Sequence, residues 1–296
     1  MYENIIISKL NTREDIAGII TPIAGSADDQ YPNLINARVN KYRNDIIIFS
    51  QLVSSASSSD ELLKKIRDYP NNTSRMTLLK LFRRCVCSVC DTEATKKKNI
   101  QTSFFIQNFG HLFTPIEILK SYDYTNEASI ATLAALLGEY DNRGKNGYAL
   151  TSLFFDAFNN LYGTKYSIAG PTGAGSDIEL SSVLPAFQDN CPCDFIIRRR
   201  VDSQLVAVGF ARYDSTRGGA QSDDRTGGNS DKISKIQRFC MNSGINLKII
   251  FLSDGPGLAH GDTWEETKRI DRSYNDMVRV TTLKTLSGVI TNEWLN

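Results

Sequence analysis

The sequence contains no apolar run long enough to cross a bilayer, which excludes a membrane-spanning helix and with it a membrane partner. Its opening, MYENIIISKLNTRED, has only a short apolar stretch with acids close behind, so no signal peptide is expected. The chain reads as soluble and cytoplasmic. Only two histidines occur, His111 and His260, and neither stands beside a nucleophile in a motif. No GxSxG elbow is present, so serine- or cysteine-based hydrolysis has little support. The segment SIAGPTGAGSD is rich in Gly, Pro and Ser but lacks the GK[ST] ending and the strand-to-helix setting of a phosphate-binding loop. No nucleotide cofactor is therefore expected.

An excess of charge of one sign is also missing. Thirty-four Lys and Arg oppose 33 Asp and Glu, for a net charge of +1. That balance neither demands nor excludes a nucleic-acid partner, so local clusters decide. Lys64-Lys65 with Arg67, and Lys96 to Lys98, read as solvated faces. Arg198-Arg199-Arg200 ends an apolar strand, a less usual place for idle charge.

Five of the six cysteines fall in two tight groups, CVCSVC (Cys85, Cys87, Cys90) and CPC (Cys191, Cys193). A cytosolic setting argues against disulfides. The groups are either buried core thiols or, if the two halves met there, a structural zinc site.

A chain of 296 residues suffices for one large domain or two modest ones. Residues 1–125 read as a helical N-terminal region. SSSDELLKKIRDYP has a Ser/Asp entry and a proline stop, NNTSRMTLLKLFRRCVCSVC repeats the plan on a longer scale, and TPIEILKSY opens on Thr-Pro. Residues 126–296 begin with two helices, NEASIATLAALLGEY and YALTSLFFDAFNNLYG, followed by the SIAGPTGAGSD loop. The pattern then turns to β: DFIIRRR and LVAVGFARYD form a hairpin across VDSQ. A polar loop, STRGGAQSDDRTGGNSD, leads to a helix at KISKIQRFCMNSG and an apolar strand LKIIFLSD. A polar helix around TWEETKRIDRSYNDM and the segment VRVTTLKTLSGVITNEWL complete the chain. The expected class is α/β, a mixed β-sheet flanked by helices with a mostly helical N-terminal region.

With few histidines, a hydrolase built from this inventory would rely on carboxylates, which gather divalent metal. Asp194 begins the first hairpin strand, and on the second strand Phe210, Arg212 and Asp214 share a face because side chains alternate. Asp194 and Asp214 as metal ligands, with Arg212 to hold a phosphate, would suit phosphodiester hydrolysis. The same residues would also serve a surface hairpin with ordinary ion pairs. Asp177, in SDIEL, is a further metal candidate or a capping residue.

This arrangement resembles the PD-(D/E)XK nuclease superfamily, and in particular type II restriction endonucleases of the DpnII/MboI type. Segments in the same order carry the resemblance: DNRGKNG before a helix with LFFDAF, CDFIIRR, VAVGFARYD with its Gly-Gly loop, and IIFLSDGPG. It covers Asn126 to the C-terminus and implies a site-specific double-stranded DNA endonuclease that uses Mg²⁺ and works as a homodimer. The superfamily pattern places an Asp on one strand and acid-x-Lys on the next. Here Asp194 fills the first position, but Phe210 stands at the acid and Arg212 at the lysine, while Thr151 lies near the place of a helix glutamate. Arginine holds phosphate but is permanently protonated and a poor base. Asn142, Arg143 and Lys145 resemble a DNA-contact turn. Gln221, Asp223, Asp224 and Arg225, on the glycine-rich loop, have the chemistry to read base edges in a groove or simply form a polar surface loop. Because Phe210 replaces the acid, the alternative is a non-catalytic sequence-specific DNA-binding module on a nuclease fold. A zinc-stapled interaction protein is a third possibility.

Overall fold

The computed structural model describes residues 6–24, 29–141, 145–173, 175, 177–215 and 221–296, without the side chains of 8, 140 and 221–227. The chain forms two compact units, Gly25–Arg143 and a second composed of Met1–Ala24 with Gly144–Asn296.

The first helix, α1 (Arg13–Ile19), is entered through a capping box: the Thr12 hydroxyl accepts the Asp15 N–H, and the Asp15 carboxylate accepts the Thr12 N–H. Its buried Ile16 and Ile19 pack into the core of the α/β unit, far along the chain from their neighbours. The helical unit follows with α2 (Asn33–Ser55), α3 (Ser59–Arg67), α4 (Asn72–Cys85), α5 (Thr92–Thr95), α6 (Thr102–Phe109), α7 (Ile116–Lys120) and α8 (Glu127–Leu137). The expected starts are capped as their residue types suggest. Ser58, Asn71 and Asn126 each accept an N–H from the third residue on. The helix expected to continue through CVCSVC stops at Cys85, and Cys87 and Cys90 turn into the core instead.

The unit boundary differs from a division at 125/126. Helix α8 buries Ile130, Ala134 and Leu137 among Phe49, Leu63 and Phe82, so its apolar face belongs to the helical unit. Residues 7–19 supply Ile7, Ile16 and Ile19 to the other core.

The α/β unit contains α9 (Lys145–Tyr162), β1 (Tyr166–Ala169), β2 (Ile178–Glu179), α10 (Leu180–Val183), β3 (Pro192–Cys193), β4 (Phe195–Arg199), β5 (Leu205–Tyr213), α11 (Gln221–Ser243), β6 (Lys248–Asp254), α12 (Gly261–Ile270) and β7 (Val278–Thr281). The five-stranded sheet runs β1-β4-β5-β6-β7. Strands β1, β4 and β5 are antiparallel, while β6 and β7 continue parallel to β5. The sheet is therefore mixed, with long α11 and α12 making the two crossovers that parallel strands require. Apolar positions 150, 154, 158 and 162 line one stripe of α9, and Phe154 meets Phe195 of β4 at a centroid distance of 5.1 Å. Gly209 makes room for this: a Cβ there would sit 1.9 Å from the Phe195 ring.

Three local expectations are corrected. The first residues of SIAGPTGAGSD are not loop, because Tyr166–Ala169 pairs with β4 and shelters its outer edge. The polar stretch before KISKIQRF is helix from Gln221 on, where α11 starts, and residues 216–220 lie outside the described residues. Each added residue of a helix gains one hydrogen bond, so a helix anchored by buried Ile233 and Ile236 propagates back through Gly227 and Gly228 despite their cost of about 1 kcal/mol each. The TWEETKRIDRSYNDM helix stops at Ile270, after which Arg272, Tyr274, Asn275 and Asp276 take left-handed φ values. Among the described residues, no helix is long and apolar enough to cross a membrane.

Candidate functional site

Asp194 sits immediately before β4, held from both sides. Its N–H donates to the Gly209 carbonyl (2.9 Å), and its Oδ2 accepts the Ala211 N–H (2.8 Å). The carboxylate is thereby pinned beside the Gly209–Ala211 stretch of β5, next to Phe210. On the other side the chain leaving β1 passes so close that a Cβ on Gly170 would lie 2.2 Å from the Asp194 carbonyl oxygen. Only glycine fits that approach.

The glycine-rich loop that begins at Gly170 ends at Asp177, and it returns to the same place. Strands β2 and β3 pair Ile178 with Cys193, and one further step of that antiparallel register sets Asp177 across from Asp194. The effect is electrostatic. Burial raises the Asp194 pKa above the ordinary aspartate value, and the Asp177 charge adds to the rise. The Ala211 N–H and the Lys232 ammonium act in the opposite direction. A half-buried carboxylate, an exposed carboxylate and an ammonium thus converge at the head of β4.

Lys232 was not legible as a site residue. It lies on α11, which crosses from β5 to β6, and its Nζ stands 4.2 Å from the centroid of the Phe210 ring. Phe210 is buried and stacks on Phe251 of β6, centroids 5.2 Å apart at 29°. The one signal in the sequence is the KISKIQRF pattern, whose lysines flank the buried Ile233–Ile236 stripe.

Of the expected trio of Asp194, Arg212 and Asp214, the last two are bonded to one another. Arg212 Nε donates to Asp214 Oδ1 at 2.7 Å. Asp214, only 5% exposed, lies four residues beyond Phe210, roughly 13 Å along an extended chain. Of the expected metal acids, Asp177 lies across from Asp194 in the β2–β3 register, and Asp214 is bonded to Arg212. Among the described residues no three His, Cys, Asp or Glu side chains cluster as a metal site.

The DNA-contact candidates are distributed as follows. Asn142 and Arg143 lie outside the described residues. Lys145 opens α9 and is exposed. Gln221, Asp223, Asp224 and Arg225 lie on the first turns of α11, a helix rather than a flexible loop, and their side chains are outside the described set. Thr151 is buried in α9, its hydroxyl bonded to the Gly147 carbonyl at 2.9 Å. The arginine triplet is structural. Arg198 donates to the Ser203 and Val183 carbonyls, Arg199 pairs with Asp202, and Arg200 donates to the Gly163 and Tyr166 carbonyls.

The cysteines are core residues. Cys87 and Cys90 pack in the helical core and Cys191 and Cys193 in the α/β core. Burial pushes the Cys193 thiol up to about 12 and that of Cys191 to about 11, against the thiolate form that zinc needs.

No protein-family model, curated protein or solved structure matches this chain.

Proposed function

We propose that this chain is a site-specific, divalent-metal-dependent endonuclease of double-stranded DNA, built on a core of the PD-(D/E)XK kind. The observation that carries the reading is the Asp194 carboxylate, pinned at the head of β4 against β5 with Asp177 across from it and Lys232 nearby. A mixed sheet with an aspartate at the entry to one strand, F-A-R on the adjacent one and helix α9 before them supports the resemblance.

The donor set fits Mg²⁺, which takes one or two carboxylates and completes its shell with water and phosphate oxygens. Asp194 and Asp177 would hold it, and when bound it would lower the pKa of a water and stabilise charge on the phosphate. The protein's own part is to orient. The Ala211 N–H engages Oδ2 of Asp194, which restrains its rotation and leaves Oδ1 for a metal. The Lys232 ammonium supplies positive charge where a phosphate would enter. A homodimer presenting two such sites to a symmetric sequence would cut both strands.

The test is plasmid digestion. Purified protein with Mg²⁺ is expected to give discrete fragments and Asp194→Ala none; smearing or no cleavage over many DNA sequences would sink the reading. A specific observation favours a second one, a sequence-specific DNA-binding module without catalysis: the position of the expected strand acid is a buried aromatic ring. Sequence-specific binding in Ca²⁺ with no cleavage in Mg²⁺ or Mn²⁺ would select it.

A further inference from the structure

Phe210 stands where the nuclease resemblance places an acid, and Arg212 where it places a lysine. Neither does the expected work, since the Arg212 guanidinium is bonded to Asp214. A different cation occupies the space. Lys232 comes from α11, whose rotation is fixed by Ile233 and Ile236 buried in the core, and its ammonium lies over the Phe210 ring at 4.2 Å. Phe251 stacks on the same ring and holds it in place.

The choice of partner matters chemically. Lys235, one turn further on, is paired with Asp231 at 2.7 Å. Lys232 makes no ion pair among the described residues, and its neighbour is the negative face of an aromatic quadrupole. A carboxylate at position 210 would neutralise the ammonium and compete with any incoming anion. A ring attracts the ammonium but leaves its full charge and its three N–H donors for another acceptor.

We propose that Lys232 is the phosphate-binding cation of this site and that Phe210 is the positioning residue that seats its ammonium beside Asp194. The proposal rests on the nuclease reading only for the identity of the anion, a DNA phosphodiester. Recognition of a phosphate oxygen by Lys232 is a separate property.

Two measurements on the full chain test it. Lysine side-chain NMR of isotope-labelled wild-type protein, with Lys232→Arg used to assign the signal, is expected to show the Lys232 resonance shifting on titration with inorganic phosphate. Binding of a short duplex in Ca²⁺ is expected to weaken about tenfold in Lys232→Ala, with a salt slope shallower by about one. Phe210→Leu should lose both responses and Phe210→Tyr, which keeps the ring, should retain them, while circular dichroism reports that each variant is folded. A Lys232 signal indifferent to phosphate, or an unchanged salt slope in folded Lys232→Ala, overturns the proposal. A protein that cuts DNA without engaging Lys232 keeps the nuclease reading and loses this one. A protein that engages phosphate through Lys232 but never cuts does the reverse.

Discussion

Arg212 and Asp214 are bonded to one another at the end of β5, Nε to Oδ1 at 2.7 Å, with the guanidinium half exposed and the carboxylate 5% exposed. The backbone around Asp214 is equally committed. Its N–H donates to the Asp254 carbonyl at 2.8 Å, and its carbonyl accepts the Gly257 N–H at 2.7 Å. The pair therefore closes the end of the sheet.

Arg212→Ala is accordingly expected to act on stability more than on chemistry. It deprives a buried carboxylate of a cation, but the cation is well solvated, so the cost is about 1 kcal/mol. Urea unfolding should show the loss, while DNA affinity at low temperature stays within a few-fold of wild type. A large loss of affinity with unchanged stability would instead put Arg212 in contact with DNA.

Asp194→Asn should separate function from stability. Burial raises the folded pKa of Asp194 above its unfolded value, so the ionised carboxylate costs stability. The cost is absent below the unfolded pKa, grows as pH rises through the folded one, and is complete at neutral pH. An asparagine keeps an oxygen for the Ala211 N–H without the charge. Its melting temperature is expected to exceed that of wild type at neutral pH, with the difference vanishing near pH 3. The same variant is expected to lose metal-dependent cleavage. A variant less stable at neutral pH would show that the charge is compensated in the fold.

Much of this frame was legible in the sequence because it depends on local signals. The caps Ser58, Asn71 and Asn126, the stripe of α9 and the hairpin β4–β5 are all set by residue type and spacing. What escaped depends on distant partners. Tyr166–Ala169 is four residues long and becomes a strand only because β4 offers it an edge. Strands β2 and β3 have two residues each, too short for any period, yet they are what brings Asp177 to Asp194. Lys232 is separated from Phe210 by a whole crossover, and no spacing rule links a helix lysine to a ring on the strand beneath it. Asp194 is legible as a candidate because a strand-entry aspartate is a local feature. Lys232 is not legible in the same way, because strand alternation describes one strand and not the helix lying over it.

Asp254 binds three backbone stretches of the α/β unit. It is fully buried, yet its oxygens face backbone N–H groups from three separate stretches. Oδ1 accepts from Thr21 at 2.7 Å and from Gly255 at 2.8 Å, and Oδ2 accepts from Leu283 at 3.0 Å. One side chain thus ties the segment after α1, the end of β6 and the turn after β7 together. Gly255 allows the turn, since its φ of 100° suits glycine and a Cβ there would meet the Asp214 carbonyl oxygen at 2.6 Å. Asp254→Ala would leave three donors unpaired, the buried Gly255 N–H and the part-buried Thr21 and Leu283 N–H groups, each costing about 1–3 kcal/mol at most before the fold relaxes. The expected result is loss of several kcal/mol in denaturant unfolding, or no folded protein at all. Asp254→Asn, which retains one acceptor oxygen, should fold with an intermediate loss. Its weakened hold on Thr21 should appear as faster hydrogen exchange at the Thr21 amide than in wild type. An Asp254→Asn protein as stable as wild type, with Thr21 equally protected, would show that the carboxylate does not bind the three stretches together.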